Sequence, residues 1–241
     1  MVKDCPGDRR CFLKAGGLAL AMQALPALGA PEPRPPARLV GRGERALPTA
    51  ELVPEEAYIF HYPYVSTPCF LLDLGEPLDP AELRTEDGTA YTCPGGVGPR
   101  RSIVAFSAIC SHRMSHPAPS VSFINYRSEQ VRFLDKAEQK RTGAGLIYCC
   151  SERSVFDPRR GARVLGGPAP QPLAAVTLAY DEDSDGLTAT GTAGGALFER
   201  FFDKFGMRLM LTHGPRYQEP VGERSRVHPA ADFSDNQMRC G

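Results

Sequence analysis

The apolar residues of this chain fall into short runs separated by Gly and Pro, a pattern typical of antiparallel strands joined by turns. The clearest runs are 57–62, 69–74, 102–109, 174–180 and 187–191. The last two flank a polar turn and form a predicted hairpin. The pattern therefore predicts an all-β fold.

Two segments carry helical signals instead. Residues 128–141 begin with Ser128 in the N-cap position, have an acidic residue in the first turn and end in Lys-Arg before Gly143. They predict an inserted surface helix or helical hairpin, acting as a partner contact, a cover for a site or a simple solvated excursion. Residues 196–205 place apolar side chains at helical spacing and stop at Gly206, which predicts a short C-terminal helix.

The chain divides by composition into four segments. Residues 1–30 combine Arg9-Arg10, Phe-Leu-Lys and an apolar run, and so resemble a twin-arginine export signal. Leu28 is not the small residue expected three places before a cleavage point, so a retained N-terminal anchor is the alternative. Residues 31–55 are Pro-rich and predict a stiff linker unable to form a central strand. Residues 56–205 form the main domain, and 206–241 a polar arm that lies on a partner subunit or is disordered.

Composition narrows the class of protein. The chain has 241 residues with 28 Lys+Arg against 28 Asp+Glu, so no net charge indicates a nucleic acid partner. Its 24 Gly, 23 Pro and absence of Trp suit a turn-rich β protein. No nucleophile with a base and no phosphate loop is apparent, so we do not expect the chain to be a catalyst on its own.

Two separated segments end apolar runs with side chains that bind metals. The first is Ile103 to His112, ending in Cys110-Ser-His112, and the second is Gly145 to Asp157, containing Cys149-Cys150-Ser-Glu152 and Ser154-Val-Phe-Asp. A soft thiolate and a borderline imidazole on one tight loop are two donor types that bind metals. Two such loops facing each other would make a metal pocket, although a single Cys ending a strand is more often a small buried apolar residue.

These segments resemble the two boxes of Rieske iron-sulfur proteins, C-x-H and C-P-C-H-G-S-x-[FY]-D. The resemblance implies a Rieske-type antiparallel β sandwich or barrel base, with a smaller cluster-binding subdomain over about 103–170 and an insertion over about 117–144. It also implies a 2Fe-2S cluster in which two thiolates bind one iron and two imidazoles the other. Cys110, His112 and Cys149 take three ligand positions. Ser115 and Ser151 replace the family's two disulfide cysteines, and Gly166-Gly167-Pro168 resembles the loop that packs over the metal.

The fourth ligand position holds Glu152 instead of His, and Arg153 follows where Gly is usual. Four alternatives remain open from the sequence. Glu152 ligates through oxygen, His116 replaces the missing imidazole, Cys150 supplies a third thiolate, or the cluster is altered or absent. Loss of one ligand usually weakens a metal site severely.

The remaining Cys and His residues lack a motif. Cys69 and Cys93 could form a disulfide or be buried thiols, and Cys240 is interpreted as a tail thiol. Core or surface roles are favoured for His61, His213 and His228.

Within the Rieske proteins, the chain is most similar to the small subunit of periplasmic molybdenum arsenite oxidases. The similarity covers Tyr62-Pro-x-x-Ser-x-Pro-Cys69, the Gly-Gly-Val-Gly-Pro turn at 95–99 and Leu187-Thr-Ala189. It implies a periplasmic electron-transfer subunit, exported folded, with a larger molybdopterin enzyme as partner and a cytochrome c or cupredoxin as acceptor. Contact with a membrane is expected only through an uncleaved N-terminal anchor. The alternative is a cluster-less structural or assembly subunit of such a complex.

Overall fold

Strands make up most of the regular structure in residues 29–240, which are the residues that this computed structural model describes. In chain order the strands are β1 Glu32–Val40, β2 Ala57–His61, β3 Pro68–Asp73, β4 Ala81–Arg84, β5 Ala90–Cys93, β6 Ile103–Ser107, β7 Ile124–Arg127, β8 Val131–Leu134, β9 Lys140–Gly143, β10 Leu146–Cys149, β11 Ser154–Asp157, β12 Arg163–Gly166, β13 Ala175–Asp181, β14 Gly186–Ala193, β15 Arg224–Arg226 and β16 His228–Pro229. The α-helices are α1 Leu197–His213 and α2 Ala230–Phe233, with 3₁₀ turns at Arg42–Glu44, Thr49–Glu51, Pro158–Arg160 and Gly214–Arg216. The predicted all-β class is confirmed.

The base of the fold is an eight-stranded sheet in the order β15-β1-β14-β13-β6-β3-β2-β16. Its neighbours pair antiparallel, apart from the parallel contact between β1 and β15. The sheet curls until β15 reaches β2, where the Ser225 hydroxyl donates to His61 O at 2.7 Å and accepts from His61 N at 3.1 Å. This side chain brings the two ends of the sheet together into a nearly closed barrel.

The Pro-rich segment forms a strand inside this sheet, so the prediction that it could not be a central strand was wrong. β1 pairs with β14 at Glu32 and Pro33, and again from Ala37, with the register shifting in between. On its other side, β1 pairs with β15 only from Arg38 onward. Pro35 and Pro36 therefore fall within the irregular stretch, where the ladder does not need their missing N–H groups.

A four-stranded sheet, β12-β11-β10-β7, packs against the outer face of the base sheet. Side chains of β10 alternate between two clusters. Ile147 and Cys149 point into the core shared with the base sheet, whereas Leu146 and Tyr148 point to the other face. The candidate site thus lies at the junction of the two sheets.

The inserted segment is a β-hairpin, β8–β9, and the predicted inserted helix over 128–141 was wrong. Val131 is fully buried and packs with Leu146, Tyr148 and Val155 on the outer face of the smaller sheet, with Phe133 beside it. Apolar side chains at alternate positions bury one face of a strand. The free energy of this burial outweighs the helix-capping signals, which contribute little by comparison.

The predicted C-terminal helix is present, but it continues through Gly206 to His213. The segment after it was expected to lie on a partner or be disordered, and it instead packs on its own chain. β15 and β16 join the base sheet, and residues 235–238 hydrogen-bond through their backbone to Pro119 and Ser122 in the loop before β7. Along residues 29–240 no helix has the length and apolar character needed to cross a bilayer. The predicted export signal falls almost wholly on residues 1–28, outside the described part.

Candidate metal centre

Two loop tips from distant parts of the chain meet at the junction of the sheets. The first loop leaves β6 and carries Cys110-Ser-His112. The second is the tight connection between β10 and β11, where Cys149 pairs with Ser154 across the hairpin. Both cysteines are fully buried in the same core cluster. The structure therefore brings together the two thiols that the sequence placed on facing loops.

The two thiols interact directly and are surrounded by hydrogen-bond donors. Cys149 donates to the sulfur of Cys110, which also accepts from the backbone N–H groups of His112 and Arg113. The sulfur of Cys149 accepts from the N–H groups of Ser151 and Glu152. The hydrogen bond from Cys149 holds the pKa of Cys110 below its usual value, although burial opposes this, and the same bond together with burial raises the pKa of Cys149. Because two adjacent buried thiolates repel each other, a cation between them would favour loss of both protons.

The first loop is held by backbone and side-chain contacts. Cys110 N donates to Ser115 O, and Met114 N donates to Cys110 O, both at 2.9 Å. The Ser111 hydroxyl donates to Gln171 O at 2.6 Å, and the Lys204 ammonium of α1 donates to Arg113 O at 2.8 Å. The loop is thus fixed by Gln171, in the segment after β12, and by Lys204 of α1.

The second loop is covered by the Gly166-Gly167-Pro168 segment. Gly167 has φ +77°, and a Cβ there would come within 2.3 Å of Arg153 O and 2.6 Å of the Ser154 Cα. The Ser154 hydroxyl accepts from Ala169 N at 3.1 Å and donates to the sulfur of Cys110. Only glycine can pack this closely, which explains the Gly-Gly-Pro motif in physical terms.

The inserted hairpin holds this covering segment in place. Lys136 Nζ donates to Gly167 O and Ala169 O, both at 2.9 Å, and Lys136 N donates to Leu165 O. A Cβ on Gly166 would meet Leu134 O at 1.9 Å. Of the roles considered for the insertion, these contacts match a cover over the segment that packs on the site.

His112 and Glu152 lie on the two facing loops beside the thiols. His112 Nδ1 is a buried polar atom with no hydrogen-bond partner among the residues that the structure describes. Glu152 Oε1 lies 3.2 Å from Arg113 Nε, so an ion pair joins the second loop to the first. Because both side chains are partly exposed, this pair contributes little to stability. It orients the Glu152 carboxylate toward the loop that carries His112.

Two of the alternatives for the fourth ligand are engaged elsewhere. Cys150 forms a disulfide with Cys240, so Cys150 is not a free thiolate and Cys240 is not the tail thiol predicted from sequence. His116 Nδ1 lies 2.9 Å from Met114 O, and its ring packs edge-on against Phe201 and Phe205 of α1. Of the three candidates, Glu152 is the one whose donor atoms remain at the facing loops.

The residues at the two loops fit the iron that two thiolates would bind. They fit the second iron, which needs two imidazoles in Rieske proteins, only in part. Two thiolates on one tetrahedral metal ion are held by metal–sulfur bonds of about 2.3 Å, and Cys110 and Cys149, buried on facing loops, fit these two positions on one iron. The unpartnered Nδ1 of His112 fits a third ligand. Within residues 29–240, however, no group of three or more His, Cys, Asp or Glu side chains is arranged around a single metal ion.

The remaining cysteines and histidines have structural surroundings. Cys69 and Cys93 are buried free thiols, which decides between the two alternatives left open by the sequence. His61 packs near His213 and Phe233, with ring centroids 6.3 Å and 5.8 Å away. Burial, with the neighbouring histidines His213 and His228, lowers the pKa of His61 to about 4.

Sequence reasoning missed the side chains that support the site. Arg113, Lys136 and Cys240 act through contacts with residues far along the chain. For Cys240, an unpaired-looking Cys in a chain with an export signal was the available clue.

No family model matches the chain. Among solved structures, the chain is similar to the crystal structure of the soluble domain of the Rieske protein II (soxF) from Sulfolobus acidocaldarius. The two share 25% identity over 68% of this chain and 82% of that chain, with a TM-score of 0.45. Because this TM-score is low, the ligand of the candidate site is inferred from the geometry of the site and not from this similarity.

Proposed function

We propose that the chain is an electron-transfer protein that carries a Rieske-like 2Fe-2S centre between its two loops. The observation that supports this most is the meeting of Cys110 and Cys149, whose sulfurs accept four backbone N–H groups from the two loops. N–H donors directed at sulfur stabilise anionic thiolates and tune the potential of iron-sulfur centres. When bound, such a centre takes up and releases one electron.

The chain's own residues would hold and shield this centre. Cys110 and Cys149 would bind one iron, and His112 through Nδ1 together with the Glu152 carboxylate would face the other. The Gly166-Gly167-Pro168 segment and α1 would exclude water, since both thiols are fully buried. A carboxylate in place of an imidazole adds negative charge, so the reduction potential would be lower than that of a centre with two histidines.

The wider setting extends this proposal. The twin-arginine-like leader favours a periplasmic location after export in the folded state, and disulfides such as Cys150–Cys240 persist in that compartment. The similarity of the motifs to the arsenite oxidase small subunit favours work in a complex, with a larger molybdopterin enzyme as electron donor and a cytochrome c or cupredoxin as acceptor.

A cluster-less structural or assembly subunit is the second candidate. It is favoured by the ion pair between Glu152 and Arg113 and by the lack of a histidine at the fourth position. In that case the two thiols are ordinary buried core residues, and the supporting contacts serve an interface.

Metal analysis tests the two candidates. We expect anaerobically purified protein to contain about two irons and two sulfides per chain and to give a paramagnetic resonance when reduced. The variant Cys110→Ser/Cys149→Ser should lose the iron, while Cys69→Ser, which changes a buried thiol in another cluster, should keep it. A colourless, iron-free and well-folded wild type would overturn electron transfer and favour the structural role.

A further inference from the structure

A cleft opens between the inserted hairpin and the outer face of the smaller sheet. Its volume is about 570 Å³. Phe133 and Tyr148 line its apolar part, and Arg132, Lys140 and Arg153 are among the residues around them. The cleft therefore combines an apolar floor with a positively charged rim.

Much of this positive charge has no ion-pair partner in the part of the chain that the structure describes. Arg141, which also lines the cleft, is neutralised by Asp135 at 2.7 Å. Across residues 29–240, by contrast, no ion pair involves Arg132, Lys140 or Arg153. Such a rim attracts an anion, and the attraction is strongest at low ionic strength.

The charge extends to the floor. Arg153 lines the cleft together with the aromatic side chains of Phe133 and Tyr148. Arg153 therefore acts close to an aromatic surface. A ligand that places a carboxylate beside Arg153 and an apolar side chain against Phe133 would use both features.

The openness of the cleft favours a peptide over a small molecule. Pockets for small molecules usually bury about 70–90% of their ligand, whereas most residues lining this cleft are exposed, including Leu134 with 51% of its surface free. A chain segment lying along the hairpin can use such a surface without being enclosed. We propose that the cleft binds an acidic segment of a partner protein that also presents an apolar side chain.

The location links this docking site to the two loops. Tyr148 and Cys149 are consecutive on β10 and point to opposite faces, and Arg153 belongs to the second loop. A bound segment would therefore lie on the opposite face of β10 from the thiol of Cys149. The docking site goes beyond electron transfer and does not require a bound cluster, so its test is separate from the metal analysis.

Fluorescence polarisation of a short labelled peptide with alternating Glu and Phe, added to the full-length protein, tests the proposal. We expect saturable binding that weakens as salt is raised. The variant Arg132→Glu/Lys140→Glu should lose about tenfold or more in affinity. The control Arg208→Glu/Arg226→Glu makes the same charge change at two exposed arginines outside the cleft, and should bind like wild type.

Other outcomes would overturn the proposal. Equal loss in both variants, or equal binding of a Glu/Ser peptide, would indicate unspecific attraction to positive charge. Equally tight binding of 2-naphthoate at the cleft would assign it to a small aromatic carboxylate. Binding to anionic vesicles that the Glu/Phe peptide does not displace would assign the rim to a lipid surface. If the Glu/Phe peptide does not bind the wild-type protein even at low salt, the cleft is not a docking site for acidic segments with an apolar side chain.

Discussion

The Cys150–Cys240 disulfide offers a quantitative test of how the C-terminal segment stabilises the fold. The two residues are 90 positions apart. Closing a loop of this length in the unfolded chain corresponds to about 4–5 kcal/mol on the chain-entropy estimate, and measured disulfides usually contribute about 2–4 kcal/mol. We therefore expect Cys150→Ser/Cys240→Ser to lower the free energy of unfolding by about 2–4 kcal/mol. For a chain of this size that corresponds to a fall in Tm of roughly 4–16 °C.

Urea unfolding followed by tyrosine fluorescence measures this loss, since the chain contains 8 Tyr and no Trp. The double variant avoids leaving Cys150 free beside Cys149, where thiols could exchange. Wild type treated with a reductant should unfold at the same urea concentration as the untreated double variant, and the variant should not respond to the reductant. An unchanged midpoint in the double variant would refute the reasoning, as would a further fall on reducing it.

Three other changes probe the site and the barrel. Glu152→His should raise the reduction potential of a bound centre by on the order of 100–200 mV and add a second nitrogen coupling in the resonance of the reduced protein, while Glu152→Gln should add no nitrogen. Gly167→Ala should cost about 2–5 kcal/mol in urea unfolding because its Cβ meets Arg153 O, whereas Gly88→Ala, with a similar φ of +86° and open space around it, should cost only about 1–2 kcal/mol. In the unfolded state His61 binds a proton as the pH falls through about 6.5. In the folded state it does so only near its lowered pKa of about 4. Stability should thus fall by up to about 3 kcal/mol as pH drops from 6.5 to 4. Unfolding of His61→Phe at several pH values should show a flatter profile.

The base strands and the two loops were predictable from the sequence, because there the local sequence pattern favours the same structure as the packing of the whole fold. The base strands are short apolar runs bounded by turns, and β6 leads directly into Cys110. The second loop was recognisable because Ser154-Val-Phe-Asp matches the S-x-[FY]-D motif of the family that the sequence resembles, and these residues form β11. Each of these signals lies within a few residues of what it predicts.

The errors arose where distant contacts override local signals. Ser128 and the Lys-Arg pair favour a helix, but the gain from burying Val131 and Phe133 against Tyr148 requires a strand. Pro35 and Pro36 argue against a central strand, but a register shift removes them from the ladder. In both cases the deciding partner lies on another strand, which a local pattern does not reveal.

The disulfide also changes what the second loop can bind. With Cys150 tied to Cys240 and His116 held against α1, the sequence alternatives reduce to a carboxylate ligand or a cluster that is altered or absent. Both cases use the same scaffold, because the Gly166-Gly167-Pro168 cover and the inserted hairpin position the second loop whether or not metal is present. The contacts that make the loops rigid therefore do not distinguish the two functions. The chemistry of Glu152 does, since its carboxylate either binds iron or remains paired with Arg113.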